Sequence, residues 1–249
     1  MLKDLAKKKL LPTISLPKRS DLKDLFEYVG PLFLITIARL VGFISMQRRA
    51  MAFGCTQQLA AYQICANAMI FFLLFGEPLS QLHQTKLPAF LDAKDRDSTI
   101  ATMKAVLTLT SFTTLGIGAA TLLTLSFGSG IFTTDAAVQA IVKNTAPAVS
   151  FSVMQAIIAT SLDGAMLASR DFTFIILVGL VTCITQVTMV ARCATLSAIF
   201  GSFTLRLAAY SLFVVLRIAS GRGGLGQLLA RRKDEEKVLG SSTVPAGIE

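Results

Sequence analysis

Residues 56–90 read TQQLAAYQICANAMIFFLLFGEPLSQLHQTKLPAF, and this stretch decides the fold class of the chain. The part from Leu59 to Phe75 is apolar and uncharged, and Glu77 and Pro78 follow without an intervening loop. About 20 apolar residues span the hydrocarbon core of a bilayer, so the run predicts a transmembrane helix. A carboxylate and a proline in the inner half of such a helix indicate a functional role.

The polar side chains of this predicted helix share one face. At about 100° per residue they form a stripe roughly 100° wide. The stripe consists of Gln63, Asn67, Glu77, Gln81 and Gln84. Pro78 has no N–H, so we expect a kink that leaves the carbonyl of Leu74 without its helical partner. Lipid cannot satisfy such groups, and the stripe is therefore expected to face protein or a water-filled cavity, as in transporters.

The composition of the whole chain also indicates a membrane protein. Of its 249 residues, 53% are hydrophobic and 16% are charged, whereas a soluble domain has about 25% charged residues. The mean hydropathy is +0.64. Apolar stretches between clusters of basic residues predict six spans. These are residues 29–47, 56–86, 100–126, 137–168, 172–191 and 195–217. The expected fold is an all-α membrane protein with six transmembrane helices.

The basic residues fall mostly on one side of the predicted bundle. An even number of spans places both termini on the same side, and eighteen of the 24 Lys and Arg residues then lie there, against four on the opposite side. The side with the excess faces the cytosol, or the stroma or matrix of an organelle. We therefore expect an integral, multi-pass membrane protein with both ends on that side.

The sequence contains no recognisable catalytic or metal-binding motif. The four cysteines lack CxxC or Cys/His spacing, and Cys65 and Cys183 are expected to be buried as small hydrophobes. His83, the only histidine, lies off the polar stripe with no nucleophile motif, so we expect it at the membrane interface. The net charge of +9 is consistent with attraction to anionic lipid headgroups. The sequence shows no basic face on a soluble fold, which a nucleic-acid-binding protein would need. We predict no enzyme, no metal, no cofactor and no nucleic-acid partner.

A glycine-rich segment, GRGGLG at residues 221–226, satisfies the GxGxxG pattern of dinucleotide-binding loops. It follows a membrane span and not a strand, so a flexible basic tail is the better interpretation. We accordingly divide the chain into three parts. They are a basic, linker-like tail at 1–23, a six-helix transmembrane lobe at 24–220 and a polar, disordered tail at 221–249.

Two charged residues are predicted to lie roughly 15–20 Å deep in the membrane, Arg39 on the first span and Glu77 on the second. We hypothesise that they form an ion pair, since an unpaired charge at this depth costs at least a few kcal/mol. The pair would either fix the packing of two helices or belong to an ion-coupling path in which Arg39 tunes the proton affinity of Glu77. Snorkelling without pairing is a third alternative.

The later spans carry polar residues of their own. Ser152, Gln155, Asp163 and Arg170 share a face of the fourth span, where Asp163 is either a solvated residue near the helix end or part of a cavity lining. Arg206 on the sixth span is expected to face the bundle interior or to snorkel. A stripe on the fifth span either joins helices or lines the cavity. It comprises Thr182, Thr185 and Gln186.

The candidates for the transport cavity or for ion coupling are therefore spread over five spans. The primary candidates are Glu77, Arg39, Gln63, Asn67, Gln81, Gln155 and Asp163, and the secondary ones are Gln186 and Arg206.

Five segments carry a family resemblance. They are GPLF at 30–33, MQRRA at 46–50, LAAYQI at 59–64, GEPLSQ at 76–81 and LDGAMLASRD at 162–171. In this order they resemble the multidrug and toxic compound extrusion (MATE) transporters, and most of all the branch of plants and algae that includes plastid-envelope members. The resemblance covers residues 24–220. Tyr62 stands where an Ala-Ala-His-Gln version of the motif has histidine, so no histidine-dependent role is carried over to it.

The resemblance implies half of a transporter, because MATE proteins have twelve helices in two lobes and this chain is similar to the C-terminal lobe. It implies export of organic cations, xenobiotics or metabolites by antiport with H⁺ or Na⁺, through alternating access. The implied partners are membrane lipid, a small organic substrate and a second six-helix lobe, from another chain or a second copy. The implied location is the plastid envelope, otherwise the plasma or vacuolar membrane.

Three origins stay open from the sequence. The chain would be a piece of a longer transporter, a half-transporter that pairs with another lobe, or a remnant that acts as a non-transporting membrane scaffold.

Overall fold

The computed structural model describes residues 19–230, with side chains from residue 29 onward except at residues 31 and 32. The helices are α1 (Arg19–Met51), α2 (Thr56–Leu73), α3 (Glu77–Asp92), α4 (Arg96–Phe127), α5 (Ser129–Phe132), α6 (Ala136–Ala168), α7 (Phe172–Arg192) and α8 (Leu196–Ala219), and residues 223–230 are also helical. No strand occurs between residues 19 and 230. The all-α prediction is confirmed.

Five helical segments of this described part are long and apolar enough to cross a membrane. They are Thr56–Asp92, Arg96–Phe127, Ala136–Ala168, Phe172–Arg192 and Leu196–Ala219. They coincide with five of the six predicted spans. The predicted first span, 29–47, lies within α1, which is helical over its length, and its role as a sixth span stays a prediction.

The outer surface of the bundle is apolar. Large exposed side chains occur on all five candidate spans and on α5, and they include Phe71, Phe112, Ile131, Phe151, Leu177 and Leu212. A soluble monomer rarely exposes apolar patches of this extent. Such a surface is compatible with an integral membrane protein whose helices contact acyl chains.

Pro78 interrupts the long second span, as predicted. The α-helical pattern changes to a 3₁₀ turn at Leu74–Gly76 and resumes in α3, with the proline in the first turn. Contrary to expectation, the carbonyl of Leu74 is not left without a partner, because it accepts a bond from the N–H of Glu77. The tighter i→i+3 pattern thus supplies the donor that proline lacks.

Helix α6 lies at the centre of the bundle and packs against α2, α3, α4 and α8. Its neighbours approach closely at glycines. A Cβ at Gly118 of α4 would lie 2.4 Å from Cγ of Met154, and a Cβ at Gly76 would lie 3.4 Å from Cα of Ile157. Helix α1 instead packs mainly against α7, and α7 packs against α8.

Helices α3 and α6 end in the same way, with a basic residue in the left-handed conformation. Lys94 has φ 54° and Arg170 has φ 57°. The next amide in each case donates to the carbonyl five residues earlier, at 2.9 Å after Lys94 and 3.4 Å after Arg170. This is the Schellman closure, which satisfies carbonyls that a helix end leaves open.

Asp95 begins α4 as its N-cap. Its carboxylate accepts bonds from the Ser98 backbone N–H at 3.1 Å and from the Ser98 hydroxyl at 2.6 Å. Because these bonds favour the charged form, they hold the pKa of Asp95 below its ordinary value.

The chain turns back on itself after α8. Gly221 (φ 68°) and Gly223 (φ 77°) adopt conformations that other residues rarely take. Leu225, only 1% exposed, then packs into a cluster with Leu87 and Ala165 from α3 and α6. Residues 221–230 had been assigned to a disordered tail, and this part of the assignment is wrong, because Leu225 has an apolar site to fill. Residues 1–18 and 231–249 lie outside the described part.

His83 is fully buried inside the bundle, and its expected level at the membrane interface stays a prediction. Its Nδ1 lies 2.9 Å from the carbonyl oxygen of Ser161 on α6. Ser161 Oγ in turn lies 2.9 Å from Thr110 Oγ1 on α4. His83 is buried because α3 turns its non-stripe face toward α6. Cys65 and Cys183 are buried, as expected.

Candidate functional site

A cavity of about 160 Å³, here called the central cavity, lies among α1, the end of α2, α3, α6, α7 and α8. Its polar lining consists of Arg39, Glu77, Thr160, Asp163, Thr182, Arg206 and Tyr210. Apolar residues such as Leu73, Ala156 and Phe203 complete the wall. The volume is ample for several waters, since one water needs roughly 10–15 Å³ of this kind of space.

Asp163 is the centre of the polar contacts in this cavity. The residue is only 6% exposed. Arg39 donates from Nη2 to one carboxylate oxygen, and the Tyr210 hydroxyl donates to the other. Both oxygens of the buried carboxylate are therefore bonded, which offsets part of its desolvation. These bonds join α1, α6 and α8. Of the two alternatives from the sequence, a solvated residue near the helix end or part of a cavity lining, the structure places Asp163 in a cavity lining.

The hypothesis that Arg39 pairs with Glu77 is wrong for the residues that the structure describes. Arg39 pairs instead with Asp163 of α6, although Glu77 lines the same cavity. Glu77 lines the same cavity, and it is exposed. It forms no ion pair or hydrogen bond through its side chain with any residue between 29 and 230.

Arg206 faces the bundle interior, where the residue is 8% exposed. Its Nη1 donates to Gln186 Oε1 on α7 at 2.8 Å. Gly42 of α1 lies over this bond, since a Cβ there would be 2.6 Å from Arg206 Nη1 and 2.7 Å from Gln186 Oε1. The two secondary candidates from the sequence are thus direct partners, and the glycine makes room for them.

The remaining primary candidates do not line the central cavity. Gln63, Asn67 and Gln81 are exposed on the outer surface of α2 and α3. Gln155 is half-buried, and its Nε2 donates to Ser211 Oγ on α8 at 3.0 Å. Of the stripe on the second span, only Glu77 lines the central cavity.

The polar stripe on the fifth span also lines the central cavity only in part. Thr182 is buried and lines the central cavity, although its hydroxyl bonds to carbonyls of its own helix. Thr185 is exposed. Only the half of the stripe that faces α1 and α8 reaches polar surroundings.

Two residues of the site were missed from the sequence. Tyr210, one turn after Arg206 on α8, is the partner of Asp163 and was not singled out from the sequence. Gly42 was not singled out. Their signal is weak, because a tyrosine or a glycine in an apolar helix has many roles, and only the helix arrangement shows which residue lies opposite.

In this arrangement a cation that binds a carboxyl group can replace the guanidinium group with which that carboxyl group is paired. The lining carries two guanidinium groups, on Arg39 and Arg206, and two carboxyl groups, on Glu77 and Asp163. With all four ionised the charges balance. A proton or metal cation bound at either carboxyl group disturbs that balance in a site partly shielded from water, where charge interactions are strong.

Comparison with known proteins adds no relative. No family model matches the chain, and no curated protein matches it.

Proposed function

We propose that the chain is a six-helix lobe of a MATE-type membrane transporter, and that the central cavity is its ion-coupling site. It would export small organic cations, xenobiotics or metabolites in exchange for H⁺ or Na⁺. Its partners would be membrane lipid and a second six-helix lobe, and its location the plastid envelope, otherwise the plasma or vacuolar membrane. The motif resemblance supports the family, and the cavity supports the coupling role.

The observation that carries the proposal is that two carboxyl groups on different helices, Glu77 and Asp163, line one cavity inside a bundle of membrane-type helices. Ionisable residues within membrane spans are costly and usually mark ion or substrate pathways. A purely structural ion pair would need only Arg39 and Asp163. A structural pair does not require the second carboxyl group, that of Glu77, which forms no hydrogen bond or ion pair with the described residues.

The proposed coupling follows from the bonds of Asp163. A cation that binds Asp163 competes with Arg39, and loss of that pair weakens the link between α1 and α6. Since α1 packs mainly against α7, the two helices can then move together relative to α6. Glu77, at the start of α3, receives the cation first because no described partner occupies it. Movement of helices around a fixed site is the general form of alternating access.

The test uses the full chain in proteoliposomes with ethidium as a fluorescent organic cation, under an imposed pH or Na⁺ gradient. We expect gradient-driven ethidium flux in the wild type and its loss in Glu77→Gln, with normal insertion and melting temperature, because Glu77 has no described bond to lose. Asp97→Asn removes an exposed carboxylate at the start of α4 and should transport normally. Unchanged flux in Glu77→Gln would exclude the coupling role.

A second candidate function is that of a membrane assembly partner. Gln63, Asn67 and Gln81 are exposed on α2 and α3, and amide groups at membrane depth need a partner that lipid cannot provide. An Asn67→Cys variant, in a background in which the four native cysteines are replaced, would test this by cross-linking in native membranes. Efficient cross-linking together with no ethidium flux in the wild type would favour this candidate over transport.

A further inference from the structure

A second cavity, here called the interfacial cavity, lies at the end of the bundle where α3 and α6 stop. Its volume is about 450 Å³, within the range of roughly 300–1,000 Å³ that is typical of small-molecule pockets. Its polar lining consists of Asp92, Lys94, Ser169, Arg170, Gly224 and Gln227. It is separate from the central cavity, with which it shares no lining residue.

Three chain segments contribute to this cavity, and the fold holds each of them in place. Lys94 and Arg170 occupy the left-handed positions that close α3 and α6. The third segment, residues 223–230, is held by Leu225 in its apolar site and by Arg96, which donates to the carbonyl of Leu229 at 3.4 Å. The fold therefore fixes the backbone positions from which the side chains of the lining extend.

The cationic side chains of the lining are not neutralised by the described part of the chain. Within residues 29–230, Lys94 and Arg170 form no ion pair, whereas the nearby Asp171 is already paired with Arg217 at 3.1 Å. The lining carries two cations and one carboxylate, that of Asp92. Two cations from separate helix ends around one cavity repel each other, and a bound anion removes that repulsion.

The other lining groups accept hydrogen bonds. Asp92 is an acceptor, and Ser169 and Gln227 both donate and accept. A bare inorganic anion would leave these acceptors without donors. A ligand that combines a phosphate with hydroxyl groups satisfies both halves of the lining.

The position of the cavity indicates where such a ligand comes from. It lies at the end of the bundle that carries the excess of basic residues, at the level where the candidate spans begin and end. Leu91, Pro88 and Leu228 form its apolar wall. Basic pockets between helix ends on this side of a membrane suit the headgroups of anionic lipids.

We propose that the interfacial cavity binds a hydroxylated phosphodiester headgroup, with the chemistry of an inositol phosphate or a glycerol phosphate. Lys94 and Arg170 bind the phosphate, and Asp92 and Gln227 bind the hydroxyls. The proposal is independent of transport, since none of these residues lies in the central cavity.

The test measures binding of dioctanoyl phosphatidylinositol to the full chain in a neutral detergent by native mass spectrometry. We expect the double variant Lys94→Gln/Arg170→Gln to bind at least about tenfold more weakly, because the phosphate loses both of its cationic partners. Lys143→Gln/Arg192→Gln, which removes two basic residues at the opposite end of the bundle, should bind like the wild type. Equal losses in the two double variants would overturn the proposal, since diffuse surface charge would then explain the binding.

A further variant guards against a folding defect. Gln227 is exposed, so Gln227→Glu should fold normally, and the added negative charge should weaken lipid binding. Undiminished binding in Gln227→Glu would contradict the site. Inositol 1-phosphate and inorganic phosphate separate the sources: competition by inositol 1-phosphate supports a soluble occupant of the same chemistry, and its failure beside strong lipid binding supports the headgroup. Equal binding of phosphatidic acid, which has no headgroup hydroxyls, would overturn the assignment of Asp92 and Gln227.

Discussion

Gly164 of α6 lies directly against the backbone of Ser80 of α3. A Cβ at Gly164 would be 2.5 Å from the carbonyl oxygen of Ser80 and 2.6 Å from its Cα. Gly164 follows Asp163 in the sequence, and Ser80 lies almost one turn after Glu77. The backbone contact between the two helices therefore sets how far apart the two carboxyl groups of the central cavity lie.

The substitution Gly164→Ala should destabilise the protein and reduce gradient-driven transport. The atoms that the new methyl group meets are backbone atoms, which cannot rotate away, so α3 must shift relative to α6. Overpacking of this kind costs about 1–3 kcal/mol. The melting temperature in detergent and the ethidium flux measure the two effects.

The matched control is Gly116→Ala on α4, where an added Cβ meets no atom within 4 Å. Alanine is favoured over glycine inside a helix by roughly 0.5–1 kcal/mol, so this variant should be as stable as the wild type or slightly more stable. A Gly164→Ala protein that melts like Gly116→Ala would show that the contact with Ser80 does not restrict the helix distance.

Tyr210→Phe should destabilise the protein, because it removes the hydroxyl that donates to the Asp163 carboxylate. A hydrogen bond to a charged group contributes about 1.5–3 kcal/mol. Tyr62→Phe is the control, since the buried Tyr62 ring stacks on Phe200 with centroids 5.8 Å apart and its hydroxyl bonds to no described residue. Equal melting temperatures for the two variants would argue against a bond between Tyr210 and Asp163.

Gly42→Ala should break the 2.8 Å bond between Arg206 and Gln186. The added Cβ would meet the ends of two flexible side chains, which can move, so the net loss of stability should be only about 1 kcal/mol. Transport should fall more than stability does, since Arg206 lines the central cavity. The control is Gly179→Ala. Gly179 lines the same cavity, but a Cβ there would meet no atom within 4 Å, so this variant should leave flux unchanged.

The cap at Asp95 should make stability depend on pH in the acidic range. The pKa of Asp95 in the folded protein lies below its ordinary value of 3.8 because Ser98 donates two bonds to the carboxylate. The contribution of the cap is therefore complete above that ordinary value and is lost as the pH falls through the lower, folded value. Melting curves from pH 6 downward should show a larger loss in the wild type than in Asp95→Asn.

Asparagine caps a helix about as well as aspartate and does not titrate in this range, so the difference between the two proteins isolates the carboxylate. Identical pH profiles would mean that the bonds to Ser98 do not stabilise the charged form.

Much of the helical architecture was determined by the sequence alone. Transmembrane length and apolar composition are local properties, so the predicted spans at 56–86, 100–126, 137–168, 172–191 and 195–217 coincide with helices of the structure. The break before Pro78 was also local, because it follows from one missing N–H. The candidate residues Arg39, Glu77 and Asp163 were identified for a similar reason, since a charge inside an apolar run is visible without a fold.

Only the tertiary structure decided which of those charges meet. Arg39 pairs with Asp163, 124 positions away along the chain, and not with Glu77, although both carboxyl groups line the same cavity. The same arrangement buried His83, brought Tyr210 to Asp163 and folded Leu225 back onto the ends of α3 and α6. Helical periodicity defines a face relative to the other residues of the same helix, but the direction in which that face points depends on how all the helices pack. Contacts as close as that between Gly164 and Ser80 set this packing, and no single span contains them.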